Sequence, residues 1–180
     1  MGREIRRVPA NWDHPKQEGW HDGRLKPMHD EPFEKAAAEW KEAYAAWERG
    51  ERPEYCPDDS KDLEYWEWNG GPPDREYYRP WQDEEATWFQ VWETVSEGTP
   101  VTPPFATREE LVEYLIDHGD FWQQKRWERG DRFMQPERPG YSRKNAEAFV
   151  LGDGYAPSMV VIQREGGAEI LDGINAAGAL

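Results

Sequence analysis

The chain has 180 residues and a net charge of −15, with 33% of its residues charged and a mean hydropathy of −1.08. That field repels phosphate backbones, which bind through Lys and Arg, and no apolar run approaches the length of a signal peptide or a bilayer span. Direct nucleic-acid binding and membrane insertion are therefore read out, and a soluble, cytoplasmic protein is expected. Cys56 is the one cysteine, which rules out an intramolecular disulfide and a Cys-based zinc site.

Taken in order, residues 1–30 read as an irregular N-terminal arm. Pro9, Pro15, Pro27, Gly19 and Gly23 interrupt it, and Ile5, Val8, Trp12 and Trp20 can lay it on the domain that follows. Residues 31–180 read as a single domain. The clearest helix runs over 31–48, capped by Asp30, with Phe33, Ala37, Trp40, Tyr44 and Trp47 along one stripe. Leu63–Trp68 alternates imperfectly and reads as a short strand, and Asn69-Gly-Gly-Pro-Pro73 breaks the chain.

Residues 87–96 are β-branched and aromatic, the best strand candidate. Phe89, Val91 and Glu93 share one face; Trp88, Gln90 and Trp92 share the other. Val101–Phe105 is an extended edge piece. Thr107-Arg-Glu-Glu110 is a capping box that opens a second helix, closed by Gly119. A third helix is expected over 120–129 with Asp120 as cap, followed by loop over 131–140, and a fourth between Ser142 and Gly152. Ser158–Arg164 and Ala168–Leu171 form a hairpin through Gly166-Gly167. Residues 172–180 are expected to fray. The class is α+β: a small, mainly antiparallel sheet packed with three to four helices.

No catalytic motif is present: there is no phosphate loop, dinucleotide fingerprint, nucleophile elbow or zinc-protease helix. His14, His21 and His29 each stand beside an aspartate, but spacings of seven and eight match no ligand pattern. Carboxylate-rich surroundings at Cys56 oppose the thiolate that a nucleophile needs. Asp153 between two glycines reads as a turn residue. Lys125, Arg126, Arg129 and Arg132, interleaved with Trp122, Trp127 and Phe133, read as a helix face diluted by acidic neighbours. No catalytic residue, cofactor or metal site is assigned.

The distinctive feature is the middle of the chain. Residues 31–100 hold 19 Asp/Glu against 7 Lys/Arg and seven of the eleven tryptophans. Such a surface attracts basic grooves and speeds association with them, and exposed tryptophans supply binding anchors. Trp40, Trp47, Trp88 and Trp92 are expected to be buried. Residues 54–85 remain for a partner, with Trp66, Trp68 and Trp81 available and the site placed on Asp58, Asp59, Asp62, Glu64, Trp66, Glu67, Trp68, Asp83, Glu84 and Glu85.

Four blocks carry a resemblance: Gly2-Arg-Glu-Ile-Arg-Arg-Val-Pro9 with Trp12 and His14-Pro15, Tyr65-Trp-Glu-Trp-Asn-Gly-Gly-Pro-Pro-Asp74, Trp92-Glu-Thr-Val-Ser-Glu-Gly-Thr-Pro-Val101, and Gly154-Tyr-Ala-Pro-Ser-Met-Val-Val161. Together they resemble a family of small proteins encoded by tailed phages and prophages. Some relatives carry an N-terminal Cys pair, which this chain lacks. The resemblance implies a mobile-element accessory gene. With the acidic middle, it leads to the expectation of an inhibitor of a host defence complex, of the anti-CRISPR or anti-restriction type. Such a protein would act as a nucleic-acid mimic on a basic protein or ribonucleoprotein partner in the bacterial cytoplasm. The alternatives are a small enzyme modifying a host factor or nucleotide, with a pocket near Asp153, Tyr155 and Ser158, and a virion or assembly factor.

Overall fold

A computed structural model describes residues 2–19, 23–95, 97–130, 139–164 and 167–177. The elements in chain order begin with β1 (Arg3–Pro9), β2 (His29–Pro32), α1 (Phe33–Glu48), α2 (Tyr65–Asn69), β3 (Tyr78–Arg79) and β4 (Ala86–Glu93). There follow α3 (Arg108–Asp117), α4 (Phe121–Arg129), α5 (Arg143–Leu151), β5 (Tyr155–Ala156), β6 (Met159–Arg164), β7 (Gly167–Asp172) and α6 (Gly173–Ala177). The class is α+β. Trp20, His21, residues 131–138 with Arg132 and Phe133, and Glu165 and Gly166, on which the expected loop and hairpin turn fall, lie outside the described residues.

The chain divides into two compact units, one of the residues up to Pro27 with those from Trp81 onward, the other of Met28–Pro80. The boundary expected after residue 30 thus falls after Pro27, and a second follows Pro80. The acidic middle is an insertion between two halves of the larger unit.

In the larger unit the sheet order is β4-β1-β5, all antiparallel, with β1 at the centre. The arm is therefore not irregular from its start. Its first residues are the central strand, which the sequence disguises because Arg-Glu-Ile-Arg-Arg-Val has no apolar alternation. The pairing Ile5↔Val91 and Arg3↔Glu93 sets which side chains share a face. Ile5, Val91 and Phe89 join the main core, with Leu111, Val112 and Leu115 of α3, Phe149 and Val150 of α5, and Ile174 of α6. On the opposite face the arm folds over the sheet: His14 meets the Trp92 ring edge-on at 4.9 Å, and Trp12 meets Trp81 at 4.5 Å. Trp81 is 4% exposed and so is removed from the candidate surface.

The helices follow their caps. Thr107 and Glu110 form the capping box of α3, while Asp120 and Ser142 accept from backbone N–H groups at the starts of α4 and α5. Arg143 clamps Glu113 with two bonds of 2.7 and 2.8 Å, joining α5 to α3. The expected hairpin forms as β6 and β7, in register from Met159↔Asp172 to Arg164↔Gly167. The fraying expected after residue 172 does not hold for α6: Gly173 lies against the Pro157 carbonyl with no room for a side chain, and Ile174 and Ala176 are buried.

In the smaller unit, β2 and β3 pair in parallel. Asp30 lies in β2 and does not cap α1, whose N-cap is Pro32. Residues 65–69 are helix, not strand. Helical spacing puts Tyr65 and Trp68 on one side, where both pack on Trp47, and the Glu64/Glu67 capping box closes the first turn.

His14 ties the arm down. Trp12 Nε1 donates to its Nδ1 (3.2 Å), and Nε2 lies 2.7 Å from the Lys26 carbonyl oxygen. Nε2 carries the proton, the ring is neutral, and a second proton on Nδ1 would oppose the indole N–H. Burial pushes the imidazole pKa below its ordinary value; the Lys26 carbonyl and Asp13 oppose the shift, and Arg6 adds to it. The unfolded chain therefore takes up this proton first on acidification. The stability from His14 is complete above the unfolded value of 6.5 and is lost as pH falls through the depressed folded value. Urea midpoints measured between about pH 8 and pH 5 are expected to fall toward acid, and to fall less in His14→Gln, whose amide retains one donor and one acceptor.

Candidate functional site

The smaller unit carries 15 Asp/Glu against 7 Lys/Arg over residues 28–80. Part of this charge is spent internally. Lys35 bridges Glu31 and Glu39, Arg49 pairs with Glu51, Arg75 with Glu34, and Lys61 with Asp58. Glu64 and Glu67 point their carboxylates at the backbone of α2. Glu54, Asp59 and Asp62 are exposed and make no salt bridge among the described residues. Trp66 stands out at 61% exposed, because helical spacing turns it away from the side that Tyr65 and Trp68 pack on Trp47.

The expected site residues divide between the two units. Asp58, Asp59, Asp62, Glu64, Trp66 and Glu67 crowd one stretch of the smaller unit, with Trp68 half-buried behind them. Asp83, Glu84 and Glu85 belong to the larger unit, where they form an exposed 3-10 turn leading into β4. Periodicity alone could not separate the two groups, since the division follows from chain pairing.

A groove of about 620 Å³ opens in the smaller unit. The α1 stripe is only half covered: Trp47 is buried, but Trp40 is half-buried and Tyr44 is 39% exposed. Trp68 stacks on Trp47 at 4.6 Å and Tyr55 stacks on Trp68 at 6.0 Å. The Arg52 guanidinium lies 3.7 Å from the Trp47 ring centre, held by the Trp47 and Lys61 carbonyl oxygens. Cys56 is buried in this cluster with Trp47 and Tyr65.

The larger unit holds a second cavity, of about 280 Å³, that no sequence motif announces. Arg3 enters it from the centre of the sheet, with Nε 2.6 Å from Asp120 Oδ2. The two side chains are 11% and 1% exposed. Burial works against the Arg3 charge, but Asp120, Tyr141 and Glu93 reverse this and hold its pKa above the ordinary value. Asp120 also accepts from the Gln123 N–H and the Tyr141 hydroxyl. Glu93 accepts from Trp122 Nε1 (2.8 Å) and from the Thr99 hydroxyl (2.9 Å). Arg126 and Ser158 complete the polar wall, and Ile174 and Pro157 supply an apolar one. Of the pocket expected near Asp153, Tyr155 and Ser158, only Ser158 reaches this cavity; Asp153 and Tyr155 are exposed elsewhere.

Among the described residues, no group of three or more His, Cys, Asp or Glu is placed to hold a metal ion. His14 spends both ring nitrogens on protein partners, and His29 stacks on Tyr78. No helix is long and apolar enough to cross a membrane among the described residues. Comparison with protein-family models, curated proteins and solved structures finds no match to this chain.

Removing one partner of a buried ion pair strands the other. Asp120→Ala is expected to cost about 3–5 kcal/mol in urea unfolding. Arg3→Met combined with Asp120→Ala is expected to cost clearly less than the sum of the single changes.

Proposed function

We propose that the chain works by binding a basic protein or ribonucleoprotein surface through the acidic face of the smaller unit. One observation carries the reading: Glu54, Asp59 and Asp62 remain exposed without a salt bridge among the described residues, on the stretch that also exposes Trp66. Unpaired exposed carboxylates set up the long-range field that steers a cationic partner, and an exposed tryptophan supplies contact energy once the two meet. The resemblance to phage- and prophage-encoded proteins suggests the partner class: a host defence complex whose nucleic-acid groove is basic, such as an RNA-guided nuclease or a restriction enzyme, in the bacterial cytoplasm. In this reading the acidic face takes the place of nucleic acid.

A second reading is favoured by the cavity at Arg3, Asp120 and Glu93, which has the mixed polar and apolar lining of a small-molecule site and, at about 280 Å³, falls just under the usual lower size of about 300 Å³. An enzyme acts below the concentration of its target, whereas a blocker must match it. Titrating inhibition of the captured complex against its concentration separates the two.

Capture of host proteins on the tagged chain, followed by mass spectrometry, is expected to return a nucleic-acid-binding assembly that elutes at high salt. The triple reversal Glu54→Lys, Asp59→Lys, Asp62→Lys is expected to slow association by about tenfold or more at low salt, with the difference shrinking as salt screens the charges. An association rate unchanged by the reversal would refute charge-directed binding.

A further inference from the structure

We infer that the aromatic groove of the smaller unit is a receptor for an arginine side chain presented by the partner. The inference rests on the basic-partner reading and adds a specific contact to it.

The groove walls are stacked rings with Glu31, Glu39, Glu51 and the ring-bound Arg52 beside them. Trp47, Trp68 and Tyr55 form a continuous stack that ends on an exposed ring, Tyr55 being 79% exposed. The outer end of the stack therefore offers an open π-face. Ring faces carry negative quadrupole density and attract cations. Glu31, Glu39 and Glu51 also line the groove, tied to the exposed cations Lys35 and Arg49. Exposed pairs of this kind contribute little and exchange readily.

The unit already shows which cation its rings accept. Arg52 lies on Trp47 at 3.7 Å and Arg75 on Phe33 at 4.1 Å. A planar guanidinium stacks on a ring and bridges a carboxylate at the same time, which a lysine ammonium cannot do as well. A nucleobase would also stack, but its phosphates would meet a unit with 15 acidic and 7 basic residues. Charge therefore selects a cationic guest with a planar head. A volume of about 620 Å³ admits the whole side chain with room for its neighbours.

The test uses the full chain and a short arginine-rich peptide, followed by intrinsic tryptophan fluorescence. A lysine peptide of equal charge and a nucleoside monophosphate serve as comparators. The arginine peptide is expected to bind about five- to thirtyfold more tightly than the lysine peptide, and the nucleotide not to bind. Tyr55→Ala is expected to lower affinity for the arginine peptide about fivefold, while Tyr55→Phe keeps it; because Tyr55 is so exposed, neither change disturbs the fold. Equal binding of the two peptides, indifference to Tyr55→Ala, or a nucleotide bound in place of the peptide overturns the groove assignment. If the triple charge reversal still weakens capture of the host partner while Tyr55→Ala does not, the basic-partner reading stands and the arginine receptor alone fails. If neither change alters capture, both fall.

Discussion

Arg3 sits on the central strand of the sheet, and its charge has to be met where little water reaches it. A guanidinium in that position costs several kcal/mol unless a carboxylate and further hydrogen bonds surround it. Asp120 supplies the carboxylate, and in doing so starts α4 by capping it. Tyr141, just ahead of α5, bonds the same carboxylate. One ion pair thus joins the strand to the start of one helix and the approach to another, both more than a hundred residues away from it. Arg6, three positions along, is handled differently: it lies 4.6 Å from the Trp92 ring centre and bonds Glu4 at 2.7 Å. The two arginines face opposite sides of the same strand, and each side is closed by a different means.

Local signals were legible in the sequence. The capping residues Thr107, Asp120 and Ser142 announce three helices, and the run Thr87–Glu93 announces β4 together with its two faces. What stayed hidden depended on partners distant in sequence. β1 has the composition of a solvated arm because its charges find their partners only after folding. Tyr65 and Trp68 read as strand residues until Trp47 is brought beside them, and then their spacing of three selects a helix. Trp81 is unremarkable in sequence and buried in the fold because Trp12 covers it.

The candidate sites divide along the same line. The acidic face was visible from charge counting, since net charge is additive and needs no geometry. That Asp83, Glu84 and Glu85 belong to the larger unit and Asp58–Glu67 to the smaller was not visible, because the division follows from pairing between distant segments. The aromatic groove was half visible: the α1 stripe was plain, but a stripe does not say how completely it is covered. The Arg3–Asp120–Glu93 cavity was invisible, because its lining comes from six separated segments and no spacing rule links them.

The parallel pairing of β2 with β3 has a wider consequence. His29 and Tyr78 are register partners across that pair, so the smaller unit enters and leaves through neighbouring residues near its two ends. A segment with joined ends adds little loop-closure entropy to the chain that hosts it. It can lengthen, shrink or be replaced by another closed module while β1 and β4 keep their pairing. The insert is thus a cassette in sequence: β1, β4 and the main core belong wholly to the flanking segments, and the acidic, aromatic stretch between them can diverge on its own.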